Sequence, residues 1–106
     1  MRQGHFEEHW TDKDGNPAGG TASGRGFAIS WQNGPLGRGV DRREPNGAFV
    51  EDVVAAALGR LDFYQASRFN CAANAKAIEH LQAALEALDA RTRDRETRAV
   101  EGTHES

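Results

Sequence analysis

The chain has 106 residues, 38 % of them hydrophobic, which suits one small domain with modest burial. Its 13 basic and 16 acidic residues leave a formal net charge of -3, which excludes the broad cationic field that long DNA or RNA requires. Cys71 is the sole cysteine, so an intramolecular disulfide is excluded; charges within residues 1–10 and the lack of a long apolar run argue against a signal peptide or membrane span.

Ten of the 12 glycines fall in residues 1–47, and Pro45-Asn46-Gly47 marks a change from strand-and-loop to helix chemistry. Gly4–Thr11 and Gly26–Gln32 alternate aromatic or β-branched residues with polar or small ones and are expected to be short strands. Phe27, Ile29 and Trp31 then share one face. Asp12–Pro17 is a turn signal, and the glycine-rich segment from Ala18 to Arg25 is expected to be a flexible loop.

From Ala48 the period changes. Val50, Val54, Ala57, Leu61 and Tyr64 step by four and three, the seam of an amphipathic helix expected over about Ala48–Ala66. Asn46 is its expected N-cap, and Glu51 and Asp52 favour the positive end of the helix dipole. After a reversal at Ser67–Asn70, Asn70 is the expected cap of a second helix. Its seam is Cys71, Asn74, Ile78, Leu81, Leu85, Leu88, Thr92 and Arg95, over about 24 residues and roughly 36 Å. Alanines at 72, 73, 75, 77, 83, 84, 87 and 90 leave a second flank that one shorter partner helix cannot cover, so a dimer or larger assembly is expected. The plainer alternative is that these alanines serve helix propensity.

Several motifs invite a chemical reading. His5-Phe6-Glu7-Glu8-His9 has the spacing of an inverted zinc-protease motif, but zinc binding needs both histidines on one helical face and a further ligand. As a strand the segment puts His5, Glu7 and His9 on one side, and an edge strand is the preferred reading. Gly19–Gly26 resembles a phosphate loop but lacks the Gly-Lys-Ser/Thr ending, which disfavours an ATPase. Trp31-Gln32-Asn33-Gly34-Pro35-Leu36-Gly37-Arg38-Gly39 offers a stacking ring in Trp31 and a guanidinium in Arg38, with Arg42 and Arg43 close behind. A solvated turn whose arginines pair with Asp41 and Glu44 is the competing reading. Phe63, Tyr64, Phe69, Asn70 and Asn74 gather aromatics and amides at the reversal, which suits either a nucleotide pocket or a plug at the end of the hairpin. Arg91 and Arg95 share a helix face, and a bound phosphate is one reason to keep two cations adjacent.

Asn74-x-x-Ala77-Ile78-x-x-Leu81-x-x-Ala84-Leu85-x-x-Leu88-x-x-Arg91-Thr92-x-x-Arg95, followed by Val100-Glu101-Gly102-Thr103-His104, resembles the C-terminal hairpin of phage anti-Thoeris and anti-CBASS nucleotide sponges. The resemblance covers about the last forty residues. It implies a β-rich N-terminal part followed by two helices, assembled as dimers or higher oligomers. It also implies capture of cyclic ADP-ribose isomers, such as glyco-cyclic ADP-ribose, or of cyclic oligonucleotides, without cleavage. In such sponges an aromatic on the first helix, an amide near the start of the second and arginines near its end contact the ligand. Those roles fall here on Tyr64 or Phe63, on Asn74, and on Arg91 with Arg95. Cys71-Ala72-Ala73 departs from the more polar hinge of the pattern.

The expectation is therefore an α+β fold in a single domain. A small antiparallel β-hairpin or sheet with glycine-rich loops occupies 1–47, an antiparallel two-helix hairpin 48–98 and a flexible tail 99–106. The expected activity is binding, with Trp31, Arg38, Phe63, Tyr64, Asn74, Arg91 and Arg95 as ligand residues and no catalytic residue, metal or cofactor. The expected partners are a small cyclic nucleotide and further copies of the chain, with neither long nucleic acid nor membrane, in the cytoplasm of an infected bacterium. The alternative is an interaction protein that blocks a host protein with its hairpin.

Overall fold

The computed structural model describes residues 1–37 and 39–105, with side chains through residue 98 except at 38 and 39. Three strands, β1 (His5–Thr11), β2 (Pro17–Gly24) and β3 (Phe27–Trp31), precede a 3-10 turn at Gly39–Asp41 and two helices, α1 (Val50–Gln65) and α2 (Ala72–Glu105). This is the expected α+β architecture, with an antiparallel sheet of order β1-β2-β3 followed by a helix pair. Two compact units divide the chain, Met1–Val50 and Glu51–Ser106.

In the first unit the Asp12 carboxylate accepts the backbone N–H groups of Asp14 and Asn16 at 2.9 and 3.0 Å, closing the expected β1–β2 turn. The segment expected to be a flexible loop is instead β2, the central strand. It holds the buried residues of the sheet: Gly19, Gly20 and Ala22, the last only 5 % exposed. The reason is steric. A Cβ on Gly20 would run into the Glu8 carbonyl, and one on Gly24 would lie 2.8 Å from the Phe27 ring and 3.0 Å from the His5 Cβ. The glycines thus let the neighbouring strands' side chains close over the middle of the sheet.

Register sets the faces. His5, Glu7 and His9 line up across Gly24, Ala22 and Gly20 with Phe27, Ile29 and Trp31; alternation predicted that each triplet shares a side of its strand, and the register puts the two triplets on one face. Beyond β3, Trp31 and Ala48 form a parallel bridge. Asn46 does not cap α1 as expected. Its side chain accepts the Asn33 N–H at 2.8 Å and donates to the Asn33 carbonyl at 3.0 Å, while its own N–H donates to Gln32 Oε1 at 2.9 Å. With its amide so engaged, Asn46 ties the loop base and α1 begins four residues later.

In the second unit the half-covered stripe of α1 is Glu51, Val54, Leu58, Leu61 and Gln65, flanked by Val53. Val54 and Leu61 were expected on it; Val50, Ala57 and Tyr64 are exposed. The step pattern is the same, but the helix turns its larger Leu58 inward in place of Ala57, and Gln65 in place of Tyr64. On α2 the stripe is Asn74, Ala77, Ile78, Leu81, Ala84, Leu85 and Leu88, close to the expected seam, whereas Cys71, Thr92 and Arg95 are exposed. No side chain in either helix through residue 98 is fully buried.

Gln65 joins the helices by donating Nε2–H to the Cys71 carbonyl at 3.0 Å and accepting the Cys71 N–H at 3.1 Å. Cys71, not Asn70, occupies the cap position of α2, where its Sγ receives the Asn74 N–H at 3.4 Å. Asn70 donates instead to the Ser67 carbonyl at 2.8 Å. With 34 residues, α2 is roughly 51 Å long and continues through 99–105, the residues assigned above to a tail.

Candidate functional site

The reversal end of the hairpin is ordered by short-range geometry. Ser67 Oγ donates to the Tyr64 carbonyl and accepts the Phe69 N–H at 3.1 Å, so one hydroxyl serves both sides of the turn. Asn74 donates Nδ2–H to the Phe69 carbonyl at 3.4 Å, a use that leaves its side-chain oxygen as an acceptor. Around this frame the large rings stay in solvent: Phe63 is 62 % and Phe69 64 % exposed. The rings of Phe63 and Tyr64 are 6.2 Å apart and tilted by 50°. Exposed rings held on a helix end offer stacking faces, and each can take a base without displacing core packing.

Two arginines absent from the expected site belong to this cluster. The Arg60 guanidinium lies 4.9 Å from the Tyr64 ring centre and 5.2 Å from that of Phe63, and its Nε–H donates to the Tyr64 hydroxyl at 3.1 Å. Arg68 lies 4.9 Å from the Phe69 ring. The signal for Arg60 was present in its spacing, three and four residues before Phe63 and Tyr64 on one helix face.

The expected arginines sit elsewhere. Arg91 meets Glu51 across the hairpin at 3.7 Å, and Arg95 is exposed one turn further on. Seventeen residues separate Asn74 from Arg91, roughly 26 Å along the α2 axis. Phe63 and Tyr64 near the end of α1 and Asn74 near the start of α2 lie at the reversal end of the hairpin, where Asn74 bonds Phe69 and Cys71, whereas Arg91 and Arg95 lie toward its other end. Trp31 is half-buried in the first unit. Arg38 lies outside the described residues. Its neighbours line a surface cavity of about 280 Å³, where Gln32, Asn33, Asp41, Arg43, Glu44 and Asn46 meet. Arg43 N–H donates to the Leu36 carbonyl at 2.6 Å, and among the described residues neither Arg42 nor Arg43 forms an ion pair with Asp41 or Glu44.

On β1, His5 Nε2 lies 3.0 Å and His9 Nε2 3.6 Å from opposite oxygens of Glu7. Hydrogen bonding from His5, then from His9, holds the Glu7 carboxyl below its usual range. The histidine motif is thus an edge-strand ladder, in the arrangement that the strand reading gave it.

Comparison with known sequences bears on both the sheet and the helices. Residues 24–93 match the hairpin domain of the Acb2/Tad1 family, about two thirds of the chain. The chain belongs to the Acb2/Tad1 hairpin family. A relative named Thoeris anti-defense 1, from Bacillus phage SBSphiJ7, is 43 % identical over 83 residues, which cover 78 % of this chain and 56 % of the relative. The chain thus spans just over half of that protein's length. The matched Acb2/Tad1 region begins at the end of β2 and takes in β3, the loop to α1 and both helices as far as residue 93. Arg60, Phe63, Tyr64, Phe69, Asn74 and Arg91 all lie inside it, whereas Arg95 and the histidine ladder of β1 lie outside.

Proposed function

We propose that this chain is a phage anti-defence protein that captures cyclic nucleotide immune signals, either cyclic ADP-ribose isomers or cyclic oligonucleotides, and holds them uncleaved. Family membership and the name of its Bacillus phage relative support the anti-defence role. The capture chemistry rests on one observation above all. Stacking rings with an amide stand at one end of the hairpin, and a pair of arginines stands roughly 26 Å along α2 from that amide. A small ligand cannot reach both within one chain. Two hairpins packed in opposite directions would bring the rings of one copy to the arginines of the other, so we assign the complete site to a homodimer or larger assembly. Half-covered stripes on both helices favour the same reading, because a neighbouring hairpin supplies the apolar cover they lack.

In this arrangement Tyr64 or Phe63 stacks on a base, the Asn74 oxygen accepts a hydrogen bond, and Arg91 and Arg95 grip phosphate. Tight holding needs preformed geometry, not bond making, and the activity is binding in the cytoplasm of the infected host. Incubating the protein with a panel of cyclic nucleotides, separating it by size exclusion and heating the protein fraction tests this directly. The expected result is depletion of a nucleotide from solution and its intact release on heating; a cleaved product would assign an enzyme. The exposed Phe63 and Phe69 support a second reading, a hairpin that docks on a host protein, which gains if no nucleotide is retained.

A further inference from the structure

Among the described residues, Arg60 is the one arginine of the hairpin whose side chain both lies over aromatic rings and is tethered by a hydrogen bond. Its Nε–H is spent on the Tyr64 hydroxyl at 3.1 Å, and its guanidinium carbon lies within 5.2 Å of two ring centres. Among the described residues neither terminal amino group has a hydrogen-bond or ion-pair partner. Asp62, two residues on, projects from a different side of α1 and does not pair with it. Arg91, by contrast, already meets Glu51, and Arg98 meets Asp94 at 2.9 Å. A guanidinium fixed at Nε with both amino groups free is a ready fork for two oxygens of one oxyanion. The rings beneath it hold the fork in place and leave stacking faces beside it.

We propose that Arg60 forms an oxyanion site of its own at the reversal end of the hairpin, taking a phosphate or pyrophosphate group of a nucleotide whose base stacks on Tyr64 or Phe63. The assignment deepens the sequestration reading and rests on it only for the identity of the ligand. It gives each end of the hairpin its own cation: Arg60 beside the rings, and Arg91 with Arg95 at the other end. In a site shared between two copies, a ligand with two separated phosphates then meets Arg60 of one copy and the Arg91 and Arg95 pair of the other.

The test uses the full chain and inorganic pyrophosphate, with the arginine Nε–H signals followed by NMR in wild type, Arg60→Gln and Arg60→Lys. Pyrophosphate is expected to move the Arg60 signal more than that of the ion-paired Arg98. Both variants are expected to weaken binding about tenfold or more, since lysine restores charge but neither fork nor stacking plane. Tyr64→Phe keeps the ring and removes the tether, and a loss of about threefold is expected, the size of one hydrogen bond. An Arg60 signal that only tracks Arg98, or an Arg60→Gln protein that binds as wild type does, overturns the assignment. Pyrophosphate held through Arg60 with no cyclic nucleotide retained would sink the sequestration reading alone. A cyclic nucleotide bound equally well by wild type and Arg60→Gln would sink the oxyanion site alone.

Discussion

In the sheet, side chains are stripped from the central strand so that backbones and neighbouring groups can close together; in the hairpin, large side chains are present and left half-covered. Gly19, Gly20 and Ala22 are buried because they are small, whereas Leu58, Leu81 and Leu85 remain partly open despite being apolar. The difference separates two ways of holding a small chain together. The sheet relies on strand pairing and on the Asn33–Asn46 amide tie, while the hairpin relies on a stripe of half-covered side chains.

Gly20→Val breaks the sheet side of this contrast most directly. Its added atoms meet the Glu8 carbonyl, and the expected cost is about 3 kcal/mol, read as lost amide protection in β1–β3 while the helical circular dichroism persists. Leu81→Ala probes the hairpin side. A half-covered leucine facing water is expected to cost about 1–2 kcal/mol, and a value in the 2–5 kcal/mol range of buried leucines would mean that another copy covers it. In that case the melting temperature would also rise with protein concentration. Gln65→Ala removes both bonds to Cys71 and is expected to cost about 1 kcal/mol in thermal unfolding, with larger chemical-shift changes at Phe69 and Asn74 than at Arg91.

The smallest effect belongs to Glu7. Its folded pKa is depressed below 4.5, so its contribution is present above that pH and is lost as pH falls through the lower folded value. An NMR titration should place the Glu7 midpoint below 4.5, and His9→Ala should move it upward. A midpoint that ignores His9 would dissolve the ladder.

Periodicity explains what was legible in the sequence. Ile78, Leu81, Leu85 and Leu88 announced α2 because large apolar residues repeat at three and four, and the strands flanking β2 announced themselves by alternation. Pro17–Gly24 carried no such signal, since a strand selected for small size reads like a loop. The α1 seam was legible to within one residue: Ala57 and Leu58, or Tyr64 and Gln65, fit the same steps. The half-burial of Leu58 and Gln65, with the Gln65 bonds to Cys71, fixes the choice. In the candidate site, the place of Phe63, Tyr64 and Asn74 at the reversal end of the hairpin was legible from where the helices end and begin. Arg60 was missed because an arginine on a helix reads as a solvated charge until the rings beside it are placed.

The claim that the site is completed between chains is tested most directly by complementation. Tyr64→Ala and the double variant Arg91→Ala/Arg95→Ala should each lose nucleotide retention. Refolded together from a one-to-one mixture, they are expected to recover about a quarter of the wild-type sites in a two-fold assembly, because mixed pairs hold one intact site each. Mixed assemblies that form and retain no nucleotide would contradict the account.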